Sequence, residues 1–201
     1  IDSVTSAVPA DSSEQSTIAP ISKRSTENVV SESSGIVQEL LNKHKTLKSY
    51  KVIIDNGGLH TYTLIQRGHK LKKFIQVQPI YNNNTVLDQF YLDRTNKTAY
   101  GTCEDDFICP RGRRGNVYTA DFFELDGITP LDIISAVPAA KKVGYEKYDG
   151  RATTIIEYNN SEGRRERLWI DQYSGIPVLQ RVFDNEKKLY EHTFTKLAVN
   201  A

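Results

Sequence analysis

The sequence has no methionine, one tryptophan and two cysteines in 201 residues. A chain without methionine does not begin at a natural start codon, so a processed or trimmed protein is expected, with any targeting segment removed. Residues 1–16 have neither the basic nor the apolar region of a signal peptide. No apolar run approaches the ~18 residues that a membrane-spanning helix needs. Two cysteines alone cannot make a tetrahedral zinc site. The four histidines, His44, His60, His69 and His192, are scattered without ligand spacing. There is no surplus of either charge: 26 Lys+Arg stand against 25 Asp+Glu, a net +1. Dedicated nucleic-acid binders carry a strong basic excess, so no nucleic-acid partner is expected. Phosphate-binding loops, zinc-protease helices and nucleophile elbows are all missing. The expectation is a non-enzyme with no cofactor and no metal.

What is present is unevenly spread. Residues 1–34 hold ten serines, three threonines, two prolines and no aromatic residue, and they carry a net charge of −3. Such a stretch buries too little apolar area to offset its chain entropy. It reads as a disordered Ser/Thr-rich tether to a membrane surface or anchor, or as a tail with no role. Residues 35–201 then form one domain, a length that can bury a full core.

The two cysteines, Cys103 and Cys109, lie six positions apart. A local disulfide closing a small loop is the better reading than a metal site. The acids Glu104, Asp105 and Asp106 inside that loop read as solvated. Sequons begin at Asn83, Asn96 and Asn159. Each lies in a polar stretch that reads as a turn, where a glycan fits. Tether, paired cysteines and sequons together point to an extracytoplasmic location.

Within the domain, Ile36, Val37, Leu40, Leu41 and His44 recur at helical spacing, with Ser33 or Ser34 as cap. Strands follow. Tyr50, Val52 and Ile54 alternate with polar residues. Positions 55–58, Asp-Asn-Gly-Gly, make a hairpin turn. Further strands are expected over 60–67, 71–77, 86–93 and 98–102. A second helical region spans about 121–142, with Thr129 capping Pro130, a kink at Pro138 and an end at Gly144. From Tyr145 onward everything reads as strand, joined by short turns at 149–150, 159–163, 173–175 and 184–186. Short turns make neighbouring strands antiparallel. The fold class is α+β: a curved antiparallel sheet of ten strands wrapped over two helical segments.

Leu168, Trp169, Ile170, Asp171, Ser174, Gly175 and Pro177 form a hairpin signature, preceded by the run 144–158. With the helix and the 47–52 segment before it, this pattern resembles the LolA/LolB-like lipoprotein-carrier superfamily over residues 35–199. The resemblance implies an incomplete antiparallel barrel of about eleven strands, closed by helices around an apolar cavity that holds lipid or lipoprotein acyl chains. Burying such chains gains about 0.8 kcal/mol per CH₂. The cysteine loop, the tether and the sequons depart from a diffusing periplasmic carrier. They suit an envelope-anchored, glycosylated lipid-binding or sensing protein, an archaeal envelope among the candidates.

One face of each strand points inward. Candidates to line a lipid-binding cavity are Val52, Ile54, Tyr62, Leu64, Phe74, Phe90, Leu92, Leu131, Ile134, Ile156 and Trp169. The alternative is that they fill a packed core, and the domain acts as an envelope-anchored sensor or protein-interaction module through its surface. Basic stretches at 111–114 and 164–167 read as lipid-phosphate contacts or as solvated strand faces. Arg165, Arg167 and Trp169 alternate with Glu166, Leu168 and Ile170.

Overall fold

A computed structural model describes residues 35–55, 61–75, 80–82 and 85–200. The expected tether, the turn at 56–58 and Asn83 lie outside the described residues. The described residues open with α1 (Gly35–Lys43) and a 3-10 turn (His44–Thr46). Eight strands follow: β1 (Tyr50–Asp55), β2 (Thr61–Arg67), β3 (Lys70–Ile75), β4 (Ile80–Asn82), β5 (Thr85–Leu87), β6 (Gln89–Asp93), β7 (Thr98–Thr102) and β8 (Val117–Ala120). Two short helices, α2 (Phe122–Leu125) and α3 (Pro130–Ser135), lead to the last five strands. These are β9 (Lys141–Tyr148), β10 (Arg151–Asn159), β11 (Arg165–Asp171), β12 (Pro177–Asp184) and β13 (Lys187–Val199). No helix among the described residues is long and apolar enough to cross a membrane.

Eleven strands form one antiparallel sheet in the order β8-β7-β6-β3-β2-β1-β13-β12-β11-β10-β9. The end strands β8 and β9 do not pair with each other, so the barrel is open. β4 and β5 make a separate two-stranded ribbon. The chain's two halves meet in the middle, where β1 pairs with β13. Tight turns allow this: Asp149 and Gly150 both take positive φ, at 48° and 77°, which matches the twist of a two-residue hairpin.

Directly opposed residues in an antiparallel pair point to the same face. One inner row runs Val52, Leu64, Lys73, Phe90 and Gly101 across five strands. Another runs Ile156, Leu168, Gln180 and His192. Val37, Leu40, Leu41, Phe122, Ile133 and Ile134 from the helices join the inner apolar residues in one core.

Two expectations need correction. The region 121–142 is not one helix, because Gly127 and the proline at the start of α3 separate two short helices. Beyond Ala136 the chain has already left helix before Pro138, and Gly144 lies within β9 opposite Ile155 rather than at a helix end. The expected strand 86–93 is two strands, broken at Asp88. There the backbone N–H donates to Thr102 O at 3.1 Å, and the carboxylate accepts the Glu104 and Asp105 N–H groups.

The 168–177 hairpin has a physical cause. Asp171 Oδ2 accepts from the Ser174 N–H at 2.9 Å and from its Oγ at 2.6 Å, closing the turn. Gly175 takes φ +73°, and a Cβ there would lie 2.8 Å from Leu40 O and 2.8 Å from Lys43 Cβ. The end of α1 therefore seats on a turn that only glycine fits. Gly175→Ala is expected to lower stability by about 1–3 kcal/mol, read as a shifted urea midpoint. A change under about 0.5 kcal/mol would refute this seating.

Candidate functional site

Short helices do not hold themselves, so α2 and α3 need outside anchors. Arg94, just past β6, supplies one. Its guanidinium donates to Asp126 Oδ1 at 2.7 Å, to Asp132 Oδ1 at 2.9 Å and to Gly127 O at 2.9 Å. Asp132 also closes a capping box with Thr129 at the start of α3. Burial pushes the Asp132 carboxyl up, but the bonds from Arg94 and Thr129 outweigh it and leave it below its ordinary range. Lys73 supplies the second anchor. Its ammonium group, pointing inward from β3, donates to Leu125 O and stands 5.0 Å from the Tyr62 ring centroid. Tyr50, inward on β1, donates to Gln66 Oε1 at 2.6 Å.

Anchored in this way, α3 leaves a cleft of about 610 Å³ between itself and the inner face of β10–β13. That volume lies within the usual range of small-ligand sites, roughly 300–1,000 Å³. One wall is apolar: Ile128, Ile133, Ala136 and Pro138. The floor is polar: Tyr158, Glu166, Gln180, Tyr190 and His192. Glu166 Oε2 accepts from Tyr158 Oη at 2.7 Å and Gln180 Nε2 at 2.9 Å, and its Oε1 accepts from Asn160 Nδ2 at 2.7 Å. His192 Nδ1 lies 3.2 Å from Gln180 Oε1. Burial lowers the His192 imidazole from its ordinary value, with the Glu166 charge opposing. Burial raises the Tyr158 hydroxyl, and the bond to Glu166 raises it further. The site can hold an amphipathic molecule, and Tyr158, Asn160, Glu166, Gln180 and His192 are tied into one network.

The eleven residues expected to line a cavity divide by face. Val52, Ile54, Tyr62, Leu64, Phe90, Leu92 and Ile156 share the inner face, with Leu131 and Ile134 on α3. Most are fully buried, and all nine belong to or pack against the core. Phe74 and Trp169 point the other way. Phe74 neighbours Lys72, whose ammonium stands 4.5 Å from the ring centroid. Trp169 lies under the Arg181 guanidinium at 4.7 Å and donates to Glu146 Oε2 at 2.6 Å. Strand parity separates these two from the other nine, so one cavity cannot be lined by all eleven. None of the eleven lines the cleft. Its floor carried one sequence signal: Glu166 occupies the same parity as buried Leu168 and Ile170, so a carboxylate had to face inward.

Outside the cleft, Cys103 and Cys109 are joined in a disulfide with Cα atoms 5.6 Å apart. Among the described residues, the group of potential metal ligands is Asp88 with these two cysteines, and the disulfide consumes both thiols. Asn96 is exposed in the β6–β7 turn, its Nδ2 donating to Asp93 Oδ2 at 3.0 Å. Asn159 is exposed at the end of β10. A second groove of about 480 Å³ lies on the outer face, lined in part by Ile65, Lys70, Lys72, Tyr91 and Tyr100. The two tyrosine rings stack there at 4.8 Å.

No protein-family model matches this chain, and no curated protein matches its sequence. Its likeness is to solved structures. It resembles the crystal structure of MucB at a TM-score of 0.51 and 12% identity, over 84% of this chain and 59% of MucB. The fold is therefore shared, and the chain spans about three-fifths of MucB's length. A MucA/MucB complex from Pseudomonas aeruginosa aligns at a TM-score of 0.47 and 11% identity, over 83% of this chain and 56% of that one. A LolA superfamily protein from Nitrosomonas europaea aligns at a TM-score of 0.29 and 9% identity, over 82% and 93%. The open antiparallel sheet expected from the sequence is present, and the likeness to MucB shows that this fold is shared.

Lys73 gives the anchored helices a pH signature. Burial pushes its ammonium from an ordinary 10.5 down to about 8, with Asp126 opposing and Arg94 adding to the fall. Between those values the unfolded chain holds the proton and the folded chain does not, so stability rises with pH through this window. The stability of wild type minus that of Lys73→Met is expected to grow between pH 7.5 and 9.5, by at most ~1.4 kcal/mol per pH unit. Urea titrations across that range that show a constant difference would refute a buried Lys73 ammonium.

Proposed function

We propose that this chain is a non-enzymatic, extracytoplasmic binding domain that holds a lipid-like, amphipathic ligand in the cleft between α3 and β10–β13. The observation that carries this reading is the pairing of an apolar wall with a hydrogen-bonding floor across one open volume. An acyl or alkyl chain gains by leaving water along Ile128, Ile133 and Pro138. A polar head finds partners on the floor. The inner apolar residues expected to touch ligand support the cleft from beneath, as packed core. The Cys103–Cys109 disulfide supports an oxidising compartment. Tyr158, Asn160, Glu166, Gln180 and His192 are linked by hydrogen bonds, which suits binding rather than nucleophilic chemistry. Anchoring through residues 1–34 remains part of the proposal on composition.

A second reading, a sensor or protein-interaction module, is favoured by the outer groove with its stacked Tyr91 and Tyr100.

Filling the cleft separates the two. Ala136 is exposed and lines it, so Ala136→Trp is expected to abolish binding of the neutral probe N-phenyl-1-naphthylamine, followed by fluorescence, while the melting temperature stays near wild type. Leu64→Trp and Ile156→Trp instead overfill a closed core and are expected to lose about 1–3 kcal/mol of stability. Unchanged probe binding in Ala136→Trp overturns the cleft as the ligand site and leaves the outer groove.

A further inference from the structure

The charges around the cleft do not balance. Its lining includes two carboxylates, Asp132 and Glu166, and neither lysine nor arginine. Asp132 is paired with Arg94 at 2.9 Å. Glu166 is only 6% exposed, and its three contacts, from Tyr158, Asn160 and Gln180, are neutral donors. A carboxylate offers about four acceptor sites. Two on Oε2 and one on Oε1 are filled, which leaves one on Oε1 for an incoming donor. A buried carboxylate without a counter-charge is unfavourable, so a cation entering here gains more than it would at a balanced site. Two aromatic rings line the same cleft. Tyr158 is buried and Tyr190 is 39% exposed at the rim, and tyrosine faces attract ammonium groups. His192 supplies no compensating charge while its imidazole is neutral, and burial favours that form.

We propose that the cleft selects a cationic amphiphile, an alkyl chain bearing an ammonium head, with the head at Glu166 and Tyr190 and the chain along Ile128, Ile133 and Pro138. This rests on the reading of the cleft as an amphipathic ligand site and adds the charge of the head. Anionic heads are disfavoured by the same unpaired carboxylate.

The test uses three probes with one ten-carbon chain, each kept below its micelle concentration: decylammonium, decyl maltoside and decyl sulfate. Calorimetric titration of the full chain is expected to show the ammonium probe binding roughly tenfold more tightly than the maltoside, and the sulfate most weakly. Glu166→Gln is expected to erase that preference. Because Glu166 organises three neighbours, its variant is first checked for a native melting transition. Tyr190→Leu, at the rim, carries the test if Glu166→Gln does not fold: it is expected to weaken the ammonium probe several-fold more than it weakens the maltoside. Equal affinity for ammonium and maltoside overturns the charge selectivity and leaves the cleft reading standing. An ammonium affinity unchanged by both variants does the same. If none of the three probes binds, both the cleft reading and this inference fall.

Discussion

The Arg94 guanidinium is the contact on which the site depends. It satisfies the Asp126 carboxylate and the Gly127 carbonyl on the segment that joins α2 to α3, and the Asp132 carboxylate within α3, with only 19% of its side chain exposed. α2 has four residues and α3 has six, each far below the ~12–15 residues at which an isolated helix becomes marginal in water. Their position over the sheet is therefore imposed from outside, by Arg94 from the β6 end and by Lys73 from β3. The capping box at Thr129 and Asp132 then shares one carboxylate between helix initiation and the anchor. Without that fork, the apolar wall opposite the β10–β13 floor would lose the anchor that ties both short helices to β6.

The same constraint divides the interior into two environments. Beneath the helices, Val52, Leu64, Phe90 and Ile156 are fully packed, and a ligand entering there would have to displace close-packed side chains. Toward the cleft the inner face changes from apolar to polar within two residues on β11, β10 and β13. Leu168 gives way to Glu166, Ile156 to Tyr158 and Phe194 to His192. These replacements neighbour one another, so the polar floor is one patch with shared hydrogen bonds. An isolated buried carboxylate would be costly; three donors reduce that cost and keep the group in place.

Local signals in the sequence were enough for the sheet and its turns. Asp149-Gly150 and the 168–177 hairpin are written in residues that tolerate positive φ or cap their own turn, and helix α1 is written in its apolar spacing. Counting such turns gives ten antiparallel strands, and the figure of about eleven is what the LolA-like resemblance implies. The cavity-lining set was not legible in the same way. Whether Phe74 and Trp169 face in or out depends on register with Gln89 and Leu179, partners that are far apart in the sequence or separated by a bulge. A one-residue shift in parity reverses the face. The break of 121–142 into two helices was marked by Gly127 and Pro130, but the continued apolar spacing of Ile133, Ile134 and Val137 masked it. β8 carries only four residues and no charge, too little alternation to announce a strand.

The open edges explain why the cleft persists. A barrel closed by pairing β8 with β9 would remove both edges and draw the inner faces together. Instead each edge is blunted on its own terms. β9 carries Lys141, Lys142 and Lys147 along an exposed strand, and lysines at an edge oppose pairing with another chain. β8 is short and follows the loop that the disulfide closes, which limits the backbone it can offer. An edge protected in this way does not need closure for solubility. The interior is then filled from one side by helices, and where α3 stops short, the space over β10–β13 stays open. The volume available to a ligand is thus set by the length of one six-residue helix and by the arginine that holds it.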